Sequence, residues 1–173
     1  EMMDKALIHA TDNFIKAGYP RDAESMLIVE LDGTETEVKE LIERVNNIAK
    51  KNKSSSIKIS KNEKQRLKFW AGRKAAFPAC GDMAPDYYCM DGTIPRGKLA
   101  EVLKEIRRLS KKYNLPVANA FHAGDGNLHP LIMYDANEKN SLAKTEKFGA
   151  DILKYCVKVG GVLTGEHGVG VEK

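Results

Sequence analysis

Two apolar, strand-length runs separated by Asp125-Gly126 constrain this chain more than any other stretch. An Asp-Gly pair between such runs signals a two-residue hairpin turn, because both central positions of that turn need positive φ. The spacing predicts strands over about 117–123 and 127–134, with Gly124 facing Asn127, Ala123 facing Leu128 and His122 facing His129. Directly opposed residues share one face of the ladder, with Cβ atoms roughly 5 Å apart. Two imidazoles so placed can grip one metal ion. Neutral imidazole suits Zn, Mn or Fe, and such a site needs at least a third ligand. Pro130 tests the register. In a two-residue hairpin the pair at position 121 is non-hydrogen-bonded, so the nitrogen of residue 130 points away from it. A proline is tolerated there if the other side of the strand is an edge or locally unpaired.

A third ligand is on offer near the end of the chain. Between residues 160 and 170 lie Gly160, Gly161, Gly165, Gly168 and Gly170, a backbone that bends freely and approaches other groups closely. The segment is not a P-loop, since no Lys-Ser/Thr follows the glycines, and it lacks the dinucleotide glycine pattern. Adjacent Glu166 and His167 can point different ways, one ligating a metal and the other serving as a base. The plain alternative is a flexible tail with incidental charges. Arg73, in Trp70-Ala-Gly-Arg73, is either a solvated helix residue or a bidentate clamp for a substrate carboxylate. His9 has no partner in sequence and is assigned no role.

Around these motifs the periodicity predicts helices over 2–17, 35–51, 61–76, 96–114 and 138–158, the last ended by Gly160-Gly161. Residues 25–32 read as a buried strand, 57–60 as alternating strand, and 87–90 as an additional strand. That order suits an α+β sandwich of ferredoxin-like type, an antiparallel sheet with helices packed on one face.

Composition narrows the classes. Across 173 residues, 42% hydrophobic and 30% charged residues describe an ordinary globular domain. The net charge of +4 comes without aromatic-basic interleaving, which argues against nucleic acid. Cys80, Cys89 and Cys156 are odd in number and form no close pair, so neither a disulfide framework nor a thiolate zinc site is indicated, and a reducing cytoplasm fits best. No run approaches the roughly 18 apolar residues of a membrane span. Neither the opening at Glu1-Met2-Met3 nor the stop at Val171-Glu172-Lys173 looks like a natural terminus, and the chain reads as a fragment of a larger protein.

The motifs HAGDGNLHP (122–130), GGVLTGEHGVG (160–170), WAGRKAAFPA (70–79) and YYCMDGTIPR (87–96) together resemble the C-terminal cap domain of FAD-linked 2-hydroxy acid oxidases. The likeness is greatest to bacterial glycolate oxidase large subunits, with D-lactate dehydrogenases near by. Gly18-Tyr19-Pro20-Arg21-Asp22-Ala23 and residues 27–33 add to it, so it covers essentially the whole chain. The resemblance implies that His122, His129 and Glu166 bind a divalent metal, Zn or Mn. It makes His167 the base that takes the substrate hydroxyl proton and Arg73 the group that binds the substrate carboxylate. It also implies FAD, held mainly by an N-terminal domain that nothing here resembles, and an iron–sulfur electron-transfer subunit as partner.

Relatives that oxidise dicarboxylic hydroxy acids carry polar groups at positions that here correspond to Phe77, Cys89 (to within a residue) and Leu131. An apolar wall cannot pair a second carboxylate, so the resemblance implies a small monocarboxylate, glycolate or D-lactate. Such a fragment would not oxidise anything alone, and its segment from Gly165 to Lys173 is expected to be mobile beside an ordered hairpin. Two rival readings are a non-catalytic metal- or protein-binding module of the same fold, and a metal-dependent hydrolase using Glu166 or His167.

Overall fold

Met2 and Met3 are neighbours in sequence, and both are buried, in two different hydrophobic clusters. Burial of consecutive residues on opposite sides marks a strand between two layers. In the computed structural model, which describes residues 1–171 and 173, these residues form β1 (Met2–Asp4) where the apolar spacing predicted helix. The helix starts only after Asp4, whose carboxylate caps it by accepting from the Leu7 N–H. It runs as α1 (Lys5–Ile15) and closes on Lys16 in the left-handed conformation.

The next elements are β2 (Ser25–Leu27), α2 (Glu35–Lys51), α3 (Glu63–Lys74), α4 (Ala76–Ala79) and β3 (Asp86–Cys89). They are followed by β4 (Gly92–Thr93), α5 (Leu99–Tyr113), β5 (Val117–His122), β6 (Asn127–Tyr134) and α6 (Ser141–Lys158). The sheet runs β2-β1-β5-β6-β3, with β4 also on β6, and every pair is antiparallel. This is the α+β architecture expected from the order of elements.

Phe121, Leu128 and Ile132 face α5 and α6, which bring Val102, Ile106, Leu109, Phe148 and Ile152. Each such side chain contributes about 1.5–3 kcal/mol by leaving water. On the other face Ala118, Ala120, Leu131 and Met133 pack with Leu7, Ile8 and Ala76 of α1 and α4. The helical cover expected on one face is thus joined by a second layer on the other. That second layer shares its face of the sheet with both hairpin histidines.

Two strand expectations change. Residues 25–32 are not a buried strand: Ser25–Leu27 pair as an edge on β1, Ile28 exchanges two backbone hydrogen bonds with Glu1, and Leu27 and Val29 are exposed. Residues 57–60 form no strand, and Ile57 and Ile59 face solvent. Helix α2 has the predicted bounds and a Thr34–Glu37 capping box, but none of its residues is fully buried.

The hairpin register also shifts. His122 pairs with Asn127 and His129 pairs with Ala120, so four residues turn the chain, not two. Asp125 and Gly126 N–H groups both donate to the His122 carbonyl. Only Gly126 has positive φ, and a Cβ there would strike the Ile94 carbonyl. The histidines are therefore diagonal neighbours rather than opposed. Moving each partner by two residues preserves the alternation, so both still share one face. Pro130 sits opposite Asn119, and its carbonyl accepts from Met90 N–H across the break between β3 and β4. Its missing donor points at that break, the locally unpaired side that the proline requires.

Candidate metal and substrate site

His129 lies in β6 and is buried, while His122 ends β5 and is partly open. Their rings meet edge to face with centroids 5.1 Å apart. His122 Nδ1 is 2.8 Å from Glu1 Oε1, and His129 Nδ1 is 3.4 Å from the Met90 carbonyl. A carboxylate and a carbonyl can only accept, so each Nδ1 donates, and Nε2 is the ring nitrogen left to serve as a ligand. Both Nε2 atoms face the Glu166 carboxylate, His129 at 3.3 Å and His122 at 3.6 Å. Burial pushes His129 below its ordinary pKa, with a further push from His122, so its neutral form is favoured.

Glu166 and His167 reach this point on the glycine-rich loop after α6, which a buried carboxylate holds in place. Asp91 is fully buried between β3 and β4. Its Oδ2 accepts from the Thr164 hydroxyl at 2.7 Å, from Gly165 and Glu166 N–H at 2.9 Å, and from His167 N–H at 2.8 Å. Successive N–H groups aimed at one anion form a nest. Burial alone would raise the Asp91 pKa, but the Thr164 hydroxyl and these N–H donors outweigh it and hold the group well below the usual carboxylate range. A bridge between Thr93 and Val162 fastens the start of the loop. The mobile segment expected from Gly165 onward is thus tied down through its first three residues. Glu172 lies outside the described residues. The His167 ring stacks on His129 with centroids 5.3 Å apart.

Arg73 comes from α3. A Cβ at Gly72 would collide with the Tyr19 ring, so glycine lets Tyr19 lie flat on the helix. The Tyr19 hydroxyl donates to the Phe69 carbonyl at 2.5 Å and accepts from Arg73 N–H at 3.1 Å. The Arg73 side chain is 11% exposed, and its Nε donates to Glu1 Oε2 at 2.9 Å. Its terminal nitrogens have no hydrogen-bond partner among the described residues, so a planar fork of donors is left for an anion. Burial would raise the Glu1 pKa, but the Arg73 charge and the His122 hydrogen bond hold it below its ordinary value.

The donor set fits a divalent metal. One nitrogen each from His122 and His129 and one oxygen from Glu166 lie within 4.8 Å of one another. Two imidazole nitrogens and a carboxylate oxygen gathered this closely are the donor types that a divalent cation takes. Cys89, His129 and His167 form a second group of the same size sharing His129. Phe77, Cys89 and Leu131 belong to one apolar cluster, and the Phe77 ring stands edge-on to His129 at 6.4 Å.

The family model "FAD linked oxidases, C-terminal domain" matches residues 1–173. The chain belongs to the FAD-linked oxidase C-terminal domain family. It is 57% identical over 173 residues to "Glycolate oxidase subunit GlcD" of Escherichia coli (strain K12), a match covering 100% of this chain and 35% of that protein. The Bacillus subtilis (strain 168) protein of the same name is 31% identical over 173 residues, which is 37% of its length. The mitochondrial D-lactate dehydrogenase (cytochrome) of Arabidopsis thaliana is 30% identical over 175 residues, 30% of its length. The chain thus spans about a third of the length of these curated relatives.

In this FAD-linked oxidase domain the structure brings His122, His129, Glu166 and His167 together, and joins Arg73 to them through Glu1. Three residues that organise the site were not singled out from sequence. Glu1 was hidden next to a strand that reads as helix. Asp91 directly follows the strand expected over 87–90, and only the break it makes between β3 and β4 betrays it. Tyr19 lies in a Gly-Tyr-Pro turn whose helix contact depends on Gly72, fifty-odd residues on.

Proposed function

We propose that this chain is the substrate- and metal-binding cap of a flavin-dependent oxidoreductase that oxidises a small 2-hydroxy acid, glycolate or D-lactate, to the 2-oxo acid. The observation that carries the reading is the convergence of two imidazole Nε2 atoms and the Glu166 carboxylate, with His167 stacked against them. Membership of a family named for FAD supports the cofactor.

Arg73 receives the substrate carboxylate on its free terminal N–H groups. His167 takes the proton of the C2 hydroxyl on a ring nitrogen, and its place against His129 keeps that ring at the metal ligands. When bound, a divalent Zn or Mn ion on His122, His129 and Glu166 supplies Lewis acidity toward the hydroxyl oxygen, and FAD supplies the acceptor for the C2 hydride. Phe77, Cys89 and Leu131 present an apolar wall with no group to pair a second carboxylate, which favours a monocarboxylate.

FAD is held by an N-terminal domain of the complete protein, an iron–sulfur subunit receives the electrons, and this segment alone does not turn over. Three free thiols accord with a cytoplasmic location, with any membrane attachment made through partner subunits. No helix among the described residues is long and apolar enough to cross a membrane. The test is metal analysis of the complete protein together with its oxidation of glycolate and D-lactate. Bound divalent metal and turnover that are both lost in His122→Ala are expected. Metal content and turnover that both survive His122→Ala would defeat the site assignment.

A further inference from the structure

Glu1 stands at the junction of two functions. Continuing the β1–β5 register from Met2 opposite Phe121 places it across the ladder from His122. Each of its oxygens has one partner: Oε1 the Nδ1 of His122 at 2.8 Å, Oε2 the Nε of Arg73 at 2.9 Å. All three side chains are largely enclosed, at 17% exposed for Glu1, 28% for His122 and 11% for Arg73. The first contact fixes which ring nitrogen of His122 is free to ligate, and carboxylate support of this kind also raises the basicity of a ligating imidazole. The second contact uses the one guanidinium N–H that lies on the stem side, so it turns the terminal fork without occupying it.

We propose that Glu1 is a positioning residue that sets the carboxylate clamp and the metal ligand in a single frame. It holds His122 in the Nδ1–H tautomer with Nε2 toward Glu166, and it aims the Arg73 fork at the same reaction volume. A merely structural ion pair would tie β1 to α3 and need not touch His122. Here one carboxylate is divided between the two, and the spacing of substrate carboxylate to metal is determined by its width. The inference rests on the metal and substrate reading of the preceding subsection.

Two variants of the complete protein separate the two contacts. Glu1→Gln keeps an oxygen that accepts from His122 Nδ1–H but turns an amide N–H₂ toward the Arg73 Nε–H. Glu1→Ala removes both partners. The readouts are Zn and Mn affinity by chelator competition, KM and kcat for the 2-hydroxy acid, and the melting temperature, with His122→Ala as control. For Glu1→Gln, KM should rise by about tenfold, the worth of one charge-assisted hydrogen bond, while metal affinity stays near wild type. For Glu1→Ala, metal affinity should fall by about 10–100-fold, as for loss of a ligand's hydrogen-bond partner, and KM should rise as well. That split is what a structural ion pair does not produce. Wild-type metal affinity and KM in Glu1→Ala would overturn the proposal, as would parallel losses of metal affinity, KM and melting temperature in both variants. Metal affinity unchanged in His122→Ala would instead sink the metal reading beneath it.

Discussion

The two halves of the site are built by different means. His122 and His129 stand on adjacent strands, where their direction follows from the ladder hydrogen bonds of β5 and β6 and the alternation of side chains. Glu166 and His167 stand on a glycine-rich loop, where little backbone pairing is available and one side chain, Asp91, supplies most of the order. The direction of the strand half does not hang on one side chain. The loop half depends on a single buried carboxylate, and its failure would remove a metal ligand and a base together.

The sharpest test of that contrast is Asp91→Ala. It should release residues 164–167 and cost at least the 10²–10⁴-fold in kcat expected from losing a general base, with metal occupancy lost as well. Stability should fall by about 2–3 kcal/mol, the worth of a hydrogen bond to a buried charged group. Hydrogen exchange should stay slow in β5 and β6 and become fast after residue 162. A loop that stays protected in this variant would mean that Asp91 is not what holds it.

Next in size is His122→Ala, the mirror experiment on the strand half. It should lower metal affinity by more than the 10–100-fold typical of an outer-shell change, because a ligand itself is gone. The ladder should be untouched and the melting temperature should move little, since His122 is partly exposed at the end of its strand. Loss of protection in the loop would show that the halves hold each other through Glu166, and would erase the distinction.

The same contrast explains what could be read from the chain before its fold was known. The strand half was legible because alternation survives error: the turn has four residues rather than two, yet a shift of two leaves His122 and His129 on one face. Pro130 was legible for a similar reason, since a missing donor demands a gap on one side of β6. The loop half was legible as motif only. Its anchor, Asp91, precedes it by more than seventy residues, and no periodicity connects them. β1 is hidden because the helical stripe of Leu7, Ala10, Phe14 and Ala17 carries the expected helix back to residue 2, and what decides is Asp4 capping the helix behind it. Residues 25–32 and 57–60 have strand composition but no partner strand over most of their length, so pairing rather than propensity settled their state.

Acid should also part the two halves. The Asp91 pKa is depressed in the folded protein. Its contribution is therefore fully present above the unfolded carboxylate value, about 4, and is lost as pH falls through the lower folded value. From pH 7 to pH 5 stability should show no dependence from this group, and below about pH 4 the loop should loosen progressively. Asp91→Asn should remove that acid-side slope while leaving whatever dependence the rest of the domain has. Unchanged slopes in wild type and Asp91→Asn, followed by urea melts at each pH, would show that the nest carries no such linkage.

The smallest expected effect probes whether the strand half is as closed as its ladder implies. Burial pushes the thiols of Cys80 and Cys156 up to about 11 and that of Cys89 up to about 12, Cys89 being raised further by the Asp91 charge. The thiolate is the reactive form, so at pH 7.5 iodoacetamide should label all three slowly and leave activity nearly intact over the time in which a free thiol is consumed. Cys89 is the informative one, because it lies beside Leu131 on the face that carries His129. Rapid labelling of Cys89 alone in wild type would mean that the apolar wall opens. Rapid labelling only in Asp91→Ala would mean that the loop is what covers it, and the two halves would then be coupled by exclusion of solvent as well as by the ligands they share.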